Sequence, residues 1–208
     1  MRTPHSVLPA RRMQSIHTPS SPPPAPENPQ PQPTTLYSWS NAHPSIRQVY
    51  ITDTEVAQQE LSTFSGPCGI DFEWKPVFRK GQAENPIALI QLANKEAILL
   101  IHIHHMSSFP TNLQSFLEDP DIVKAGVGIQ GDARKLYNDF SVNLRNCVDL
   151  SLLARSVDNA RWKGKYSDPI GLARLIGVYE DRLLTKGRIT RSNWENVLDA
   201  AQRECTQI

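Results

Sequence analysis

From Gly69 to Pro76 the chain reads GIDFEWKP. Ile70, Phe72 and Trp74 alternate with Asp71 and Glu73. Successive side chains point to opposite faces of a β-strand, so this stretch predicts a strand with one apolar and one acidic face. The two carboxylates would lie roughly 6.6 Å apart along it, at about 3.3 Å per residue. Side by side they repel, and burying them uncompensated is costly. Two readings follow. Either this is an edge strand whose acidic face stays wet, or a divalent cation sits against the face and reverses the sign of the cost.

Outward from this strand the pattern is mixed. Val49–Ile51 predicts a short strand. Thr52 and Glu55 have capping-box spacing before a helix that would run to about Phe64 and bury Val56, Leu61 and Phe64. PIALIQLA (86–93) and EAILLI (96–101) predict two more strands across an Asn94-Lys95 turn. Leu113, Phe116 and Leu117 give a helical stripe over 110–118, and residues 122–127 predict a strand. Ile129, Ala133, Leu136, Tyr137 and Phe140 then fall on one helix face. Residues 144–148 predict a strand, and Ser151–Arg155 opens a helix. Asp168-Pro169 suits a helix start and Gly177 its end. The expected fold class is α/β, a mixed sheet flanked by helices.

Composition divides the chain near residue 45. Of 17 prolines, 11 lie in residues 1–45, with clustered Ser, Thr and Gln, which predicts a disordered tail. Arg2, Arg11 and Arg12 precede the first acidic residue, Glu27. An acid-poor, arginine-bearing start is compatible with a mitochondrial transit peptide, though the prolines oppose an amphipathic helix. The expectation is an intracellular protein of the nucleus, with the mitochondrion as the alternative. Residues 46–208 form the expected folded domain, carrying 19 basic and 20 acidic residues. A net charge of +1 gives no global field toward a polyanion. Three dispersed cysteines without Cys-x-x-Cys spacing argue against a disulfide framework and a cysteine zinc site. No apolar run approaches the roughly 20 residues of a membrane helix, so no membrane partner is expected.

A second acidic signal lies in AGVGIQGDARKL (125–136), where a buried strand meets glycines and a helix begins with Asp132 in its first turn. Asp132 could simply complement the helix dipole. With Asp71 and Glu73 it instead supplies three oxygen-donor carboxylates, a set suited to hard cations. Two such cations roughly 4 Å apart can activate a water at a phosphodiester.

GIDFEW, PIALIQLA, KAGVGIQGDARKL, GLARLIG and RSNW, in that order, resemble the DEDD superfamily of 3'-5' exonucleases. The similarity is greatest to the Werner-syndrome-type domains of the tyrosine branch, relatives of ribonuclease D, and it runs from about Val49 to the end of the chain. The resemblance implies a ribonuclease-H-like fold and two Mg²⁺ or Mn²⁺ ions. Asp71 would bridge both ions, Glu73 would serve the one carrying the attacking water, and Asp132 the other. It implies nucleic-acid 3' ends, single-stranded, as the partner, with DNA ahead of RNA, and a nucleoside monophosphate as product. Nothing in the sequence assigns a helicase partner.

The chain departs from the family at its third motif, Tyr-x-x-x-Asp. Tyr37, Tyr50, Tyr137, Tyr166 and Tyr179 are followed four places on by Asn41, Thr54, Ser141, Ile170 and Leu183. If NWENVLDAAQRECTQI aligns with the segment that leads into this motif, Cys205 falls at the tyrosine and the aspartate would follow Ile208. The domain is therefore expected to be incomplete at its C-terminus, with Asp199 a substitute only if the last helix shifts. Loss of one well-placed catalytic group commonly costs about 10²–10⁴-fold. A catalytically impaired nucleic-acid-binding module of the same fold is the alternative.

Basic residues interleaved with aromatics suit single-stranded nucleic acid. Arg161, Trp162, Lys163 and Lys165, near Arg155 and Tyr166, form one such loop, and Lys186, Arg188, Arg191 and Trp194 another. Both could equally be solvated surface with half-buried rings. Trp74 and Arg134, beside the carboxylates, are further candidate strand contacts. His102, His104 and His105 are read as a strand end entering a polar loop rather than a zinc site.

Overall fold

The computed structural model describes residues 33–185 and 187–204, the side chain of Arg188 excepted. The expected tail thus lies outside the described residues as far as residue 32. Residues 33–45, assigned to that tail, carry structure. The Tyr37 N–H donates to the Leu183 carbonyl at 2.9 Å, and Ser38 caps helix α1 (Trp39–Ala42). The apolar body of Trp39 explains this, because it packs against the sheet.

Strands β1 (Arg47–Ile51), β2 (Cys68–Trp74), β3 (Ile87–Ala93), β4 (Ala97–Ile101), β5 (Lys124–Gly126) and β6 (Cys147–Asp149) form one sheet in the order β1-β4-β3-β2-β5-β6. β2, β3 and β4 make an antiparallel meander. Its second turn is set by Asn94, whose Oδ1 accepts from the Glu96 and Ala97 N–H groups at 2.9 Å each. β1 joins β4, β5 joins β2 and β6 joins β5, all parallel. The mixed sheet expected from the sequence is the one observed. β2 lies inside it between β3 and β5, but β5 pairs with it only at Cys68 and Gly69, so the acidic half of GIDFEW borders the open side of the sheet.

The two sides of the sheet are filled differently. Ile70, Phe72, Ile90, Leu92, Leu99 and Ile101 pack one side against α2 (Thr54–Thr63), α3 (Thr111–Glu118) and α4 (Ile129–Phe140). Leu89, Ile98 and Leu100 pack the other side against Trp194 and Leu198, just ahead of α7 (Ala200–Glu204). α5 (Leu150–Val157) and α6 (Leu172–Tyr179) form a smaller apolar cluster around Trp162.

Several element ends differ from expectation. Asp53, not Thr52, caps α2, its carboxylate accepting from the Val56 N–H at 3.0 Å, and Val56 is exposed. β5 and β6 are shorter than their apolar runs. α6 begins at Leu172 because Asp168 is tied back, its carbonyl accepting from Arg155 at 2.6 Å. Gly177 lies inside α6, which closes at Glu180. Among the described residues, no helix is long and apolar enough to cross a membrane.

Candidate active site

β2 outruns its parallel neighbour. Pairing with β5 covers Cys68 and Gly69, so Asp71–Trp74 are held by β3 alone. β5 comes close because Gly126 has no side chain, since a Cβ there would stand 2.8 Å from the Ile70 carbonyl. The chain then turns through Gly128, at φ 74°, into α4. Parallel β2 and β5 therefore end at the same edge of the sheet, which is where α/β folds place their sites.

Asp71 and Glu73 occupy the face opposite Ile70 and Phe72, both partly accessible. Directly across on β3 stand Gln91, opposite Asp71, and Leu89, opposite Glu73. The same face carries the C-terminal segment. His102, fully buried, bridges the Tyr50 hydroxyl at 2.6 Å and the Trp194 carbonyl at 2.8 Å. The Tyr50 hydroxyl in turn accepts from the Leu198 N–H at 3.2 Å, and Gln48 donates to the Arg203 carbonyl at 2.8 Å. Past β2, Lys75 pairs with Glu195 at 2.9 Å.

Asp132 sits in the first turn of α4, on the helix that packs against the other face. Burial first, and the neighbouring Asp149 charge second, push its carboxyl up to about 6. Asp149 is a residue the sequence reading passed over. Its Oδ2 accepts from the Gly128 N–H at 3.0 Å, and its Oδ1 from the Ser151 N–H at 2.9 Å. It thereby ties the approach to α4 to the start of α5. Its signal was an aspartate closing a strand immediately before a helical stripe.

Asp71 and Glu73 share one face of β2, and Asp132 stands in the first turn of α4, which follows β5. Among the described residues, no group of three or more His, Cys, Asp or Glu side chains is gathered tightly enough to hold a metal. The donor chemistry nevertheless fits a hard cation, since two carboxylates share one strand face and the buried Gln91 Oε1 beside them has no hydrogen-bond donor.

The expected nucleic-acid contacts are partly corrected. Trp162 is no stacking platform. It is buried, its indole N–H donates to the Tyr179 hydroxyl at 2.9 Å, and Arg174 covers the ring. Arg155 is buried too, donating to the Trp162 carbonyl at 2.9 Å. Trp194 belongs to the core, Lys186 lies outside the described residues, and Arg191 is exposed. Trp74 is half-buried beneath Lys135, whose Nζ is 4.9 Å from the ring centre. Lys163 and Lys165 are exposed, and Arg161 is exposed but paired with Asp158 at 2.9 Å. Arg134 is exposed and lines a polar cleft of about 370 Å³ with Glu84, Lys135, Asn138 and Asp139. Of the histidines read as a polar loop, His102 is instead buried just past the end of β4 at Ile101, while His104 and His105, in a short 3₁₀ turn over Ile103–His105, are exposed.

The sequence profile of the 3'-5' exonuclease family matches residues 49–206. A 3'-5' exonuclease of Arabidopsis thaliana is 37% identical over 131 residues, covering 61% of this chain and 42% of that protein. The bifunctional 3'-5' exonuclease/ATP-dependent helicase WRN of Mus musculus is 40% identical over 130 residues, 62% of this chain and 9% of that protein. The chain thus spans less than half the length of either relative. Among solved structures, Escherichia coli RNase D matches with a TM-score of 0.62 at 22% identity, over 77% of this chain and 40% of that one, and supports the fold. The Aedes aegypti Nibbler EXO domain does likewise, with a TM-score of 0.65 at 21% identity over 76% and 80%. With its ribonuclease-H-like sheet and the profile match across its folded part, this chain belongs to the DEDD-superfamily 3'-5' exonuclease family.

Proposed function

We propose that the chain is a metal-dependent 3'-5' exonuclease domain that hydrolyses phosphodiester bonds at nucleic-acid 3' ends, with DNA ahead of RNA. One observation carries the reading: two carboxylates share one face of β2, at the edge of the sheet where parallel β2 and β5 both end. Asp71 and Glu73 would hold Mg²⁺ or Mn²⁺, with Asp132 approaching from α4. Bound there, the two ions of a complete site would activate a water and neutralise charge on the leaving oxygen. The chain's own work is positioning. β3 fixes the register of Asp71 and Glu73, and Asp149 fixes the approach to α4. Exposed Lys163 and Lys165 would attract the phosphates of a single strand. A place in DNA repair within the nucleus, or alternatively the mitochondrion, fits this activity, and imaging of a tagged chain separates the two compartments.

The second reading is a nucleic-acid-binding module of the same fold with impaired catalysis, in which the exposed Lys163 and Lys165 hold the strand. Both are tested with 5'-labelled single strands of DNA and RNA in Mg²⁺. Stepwise shortening from the 3' end that disappears in Asp71→Ala supports the exonuclease. Salt-sensitive retention of intact strands supports the binding module. Neither shortening nor retention would sink both.

A further inference from the structure

Gln91 is the polar exception in a buried strand. Its neighbours Ile90 and Leu92 point into the helix-covered core, while Gln91 is on the carboxylate side, between Asp71 on β2 and Leu100 on β4. Directly paired residues on adjacent antiparallel strands have Cβ atoms about 4.5–5.5 Å apart. The side chain is 1% exposed, and its Oε1 accepts no hydrogen bond. Leaving an amide oxygen buried without a donor costs stability, and leucine or methionine would fill the same space without that cost. Among the described residues, the other buried side-chain atoms without a partner are N–H donors, on Trp39, Arg155 and Trp194. Gln91 alone in that group presents an acceptor, and its Cα stands opposite that of Asp71 in the β2–β3 register.

We propose that Gln91 is a positioning residue of the cation site, its Oε1 accepting a hydrogen bond from a water carried by the cation that Asp71 and Glu73 hold. This rests on the reading of those two carboxylates as cation ligands. Groups that orient a metal's ligands without touching the metal typically change its affinity by about 10–100-fold when removed. A carboxamide is suited to the task because it accepts a hydrogen bond without adding a third negative charge to the face.

The test is Mn²⁺ titration of the full 208-residue chain, with free Mn²⁺ followed by electron paramagnetic resonance and thermal unfolding measured without metal. Gln91→Leu should bind Mn²⁺ about 10–100-fold more weakly than wild type. Its metal-free melting temperature should hold or rise, whereas a purely structural glutamine would leave affinity unchanged and lower it. Gln91→Glu keeps an acceptor oxygen, so it should retain Mn²⁺ binding while melting lower without metal. It also keeps the experiment decisive if the leucine variant does not fold. Wild-type affinity in Gln91→Leu, with binding lost in Asp71→Ala, overturns the role of Gln91 alone. Wild-type affinity in Asp71→Ala overturns the cation-site reading and this inference with it.

Discussion

β2 presents two faces built on opposite terms. One carries Ile70 and Phe72 at 3% and 4% exposure, enclosed by three helices and stabilised by the apolar surface they remove from water. The other carries Asp71 and Glu73, with Gln91 across from Asp71, and gives up that stabilisation to display oxygen atoms. The same backbone, one residue out of step, serves both. Stability is thus concentrated on one side of the strand and recognition chemistry on the other, and substitutions on the two faces should differ in sign.

The largest effect is expected on the packed face. Phe72→Ala should destabilise by about 3–5 kcal/mol in denaturant unfolding. A decrease of under about 1 kcal/mol would mean the packed face is not the main source of stability. Trp162→Ala should cost a similar amount, because the ring is core between α5 and α6. Its affinity for single strands, measured while folded, should hold, and a selective drop in affinity would restore the ring as a base platform.

Gly126→Ala tests the close approach that opens the site edge. A methyl 2.8 Å from the Ile70 carbonyl has to push β5 off β2, at about 1–3 kcal/mol. Full stability in that variant would show that the two strands have room to separate.

A pH-dependent effect is expected where the C-terminal segment docks. Burial above all, together with neighbouring His105 and to a lesser degree His104, holds the His102 imidazole down to about 4, against the opposing bond to the Trp194 carbonyl. The folded-state value lies below the unfolded one, so the unfolded chain takes up the proton first. Stability is then fully present above the ordinary histidine range and is lost as pH falls toward 4. Melting temperature should fall across that window in wild type and fall less in His102→Gln. Parallel profiles would remove His102 from the account.

The smallest effect is expected at the exposed lysines. Lys163→Ala with Lys165→Ala should leave unfolding unchanged. The salt dependence of single-strand binding should become shallower by about 0.7 for each phosphate that the variant no longer neutralises. An unchanged slope would remove both lysines from the path of the strand.

What the sequence made legible follows from what is local. Period-2 alternation in GIDFEW and the unbroken run in PIALIQLA are properties of single strands, so both strands and the shared face of Asp71 and Glu73 could be read directly. The Gly-rich entry to α4 was likewise readable, because backbone close approach leaves its mark as glycine. Trp162 and Trp194 were not. An aromatic ring among cations has the same sequence signature whether it faces a base or a core, and only Tyr179, Arg174 and the sheet decide it. Asp149 and Gln91 escaped for a related reason. Each is ordinary in its own segment and gains meaning from a neighbour far away in the chain, Gly128 for one and Asp71 for the other.

The central claim is that the acidic face of β2 exists for a cation. Its most direct test is thermal unfolding of wild type and of the double variant Asp71→Asn, Glu73→Gln, with and without Mg²⁺. The account predicts that wild type melts higher in Mg²⁺, and that the double variant melts higher than wild type without metal and gains nothing from Mg²⁺. An equal Mg²⁺-induced rise in both proteins would contradict it.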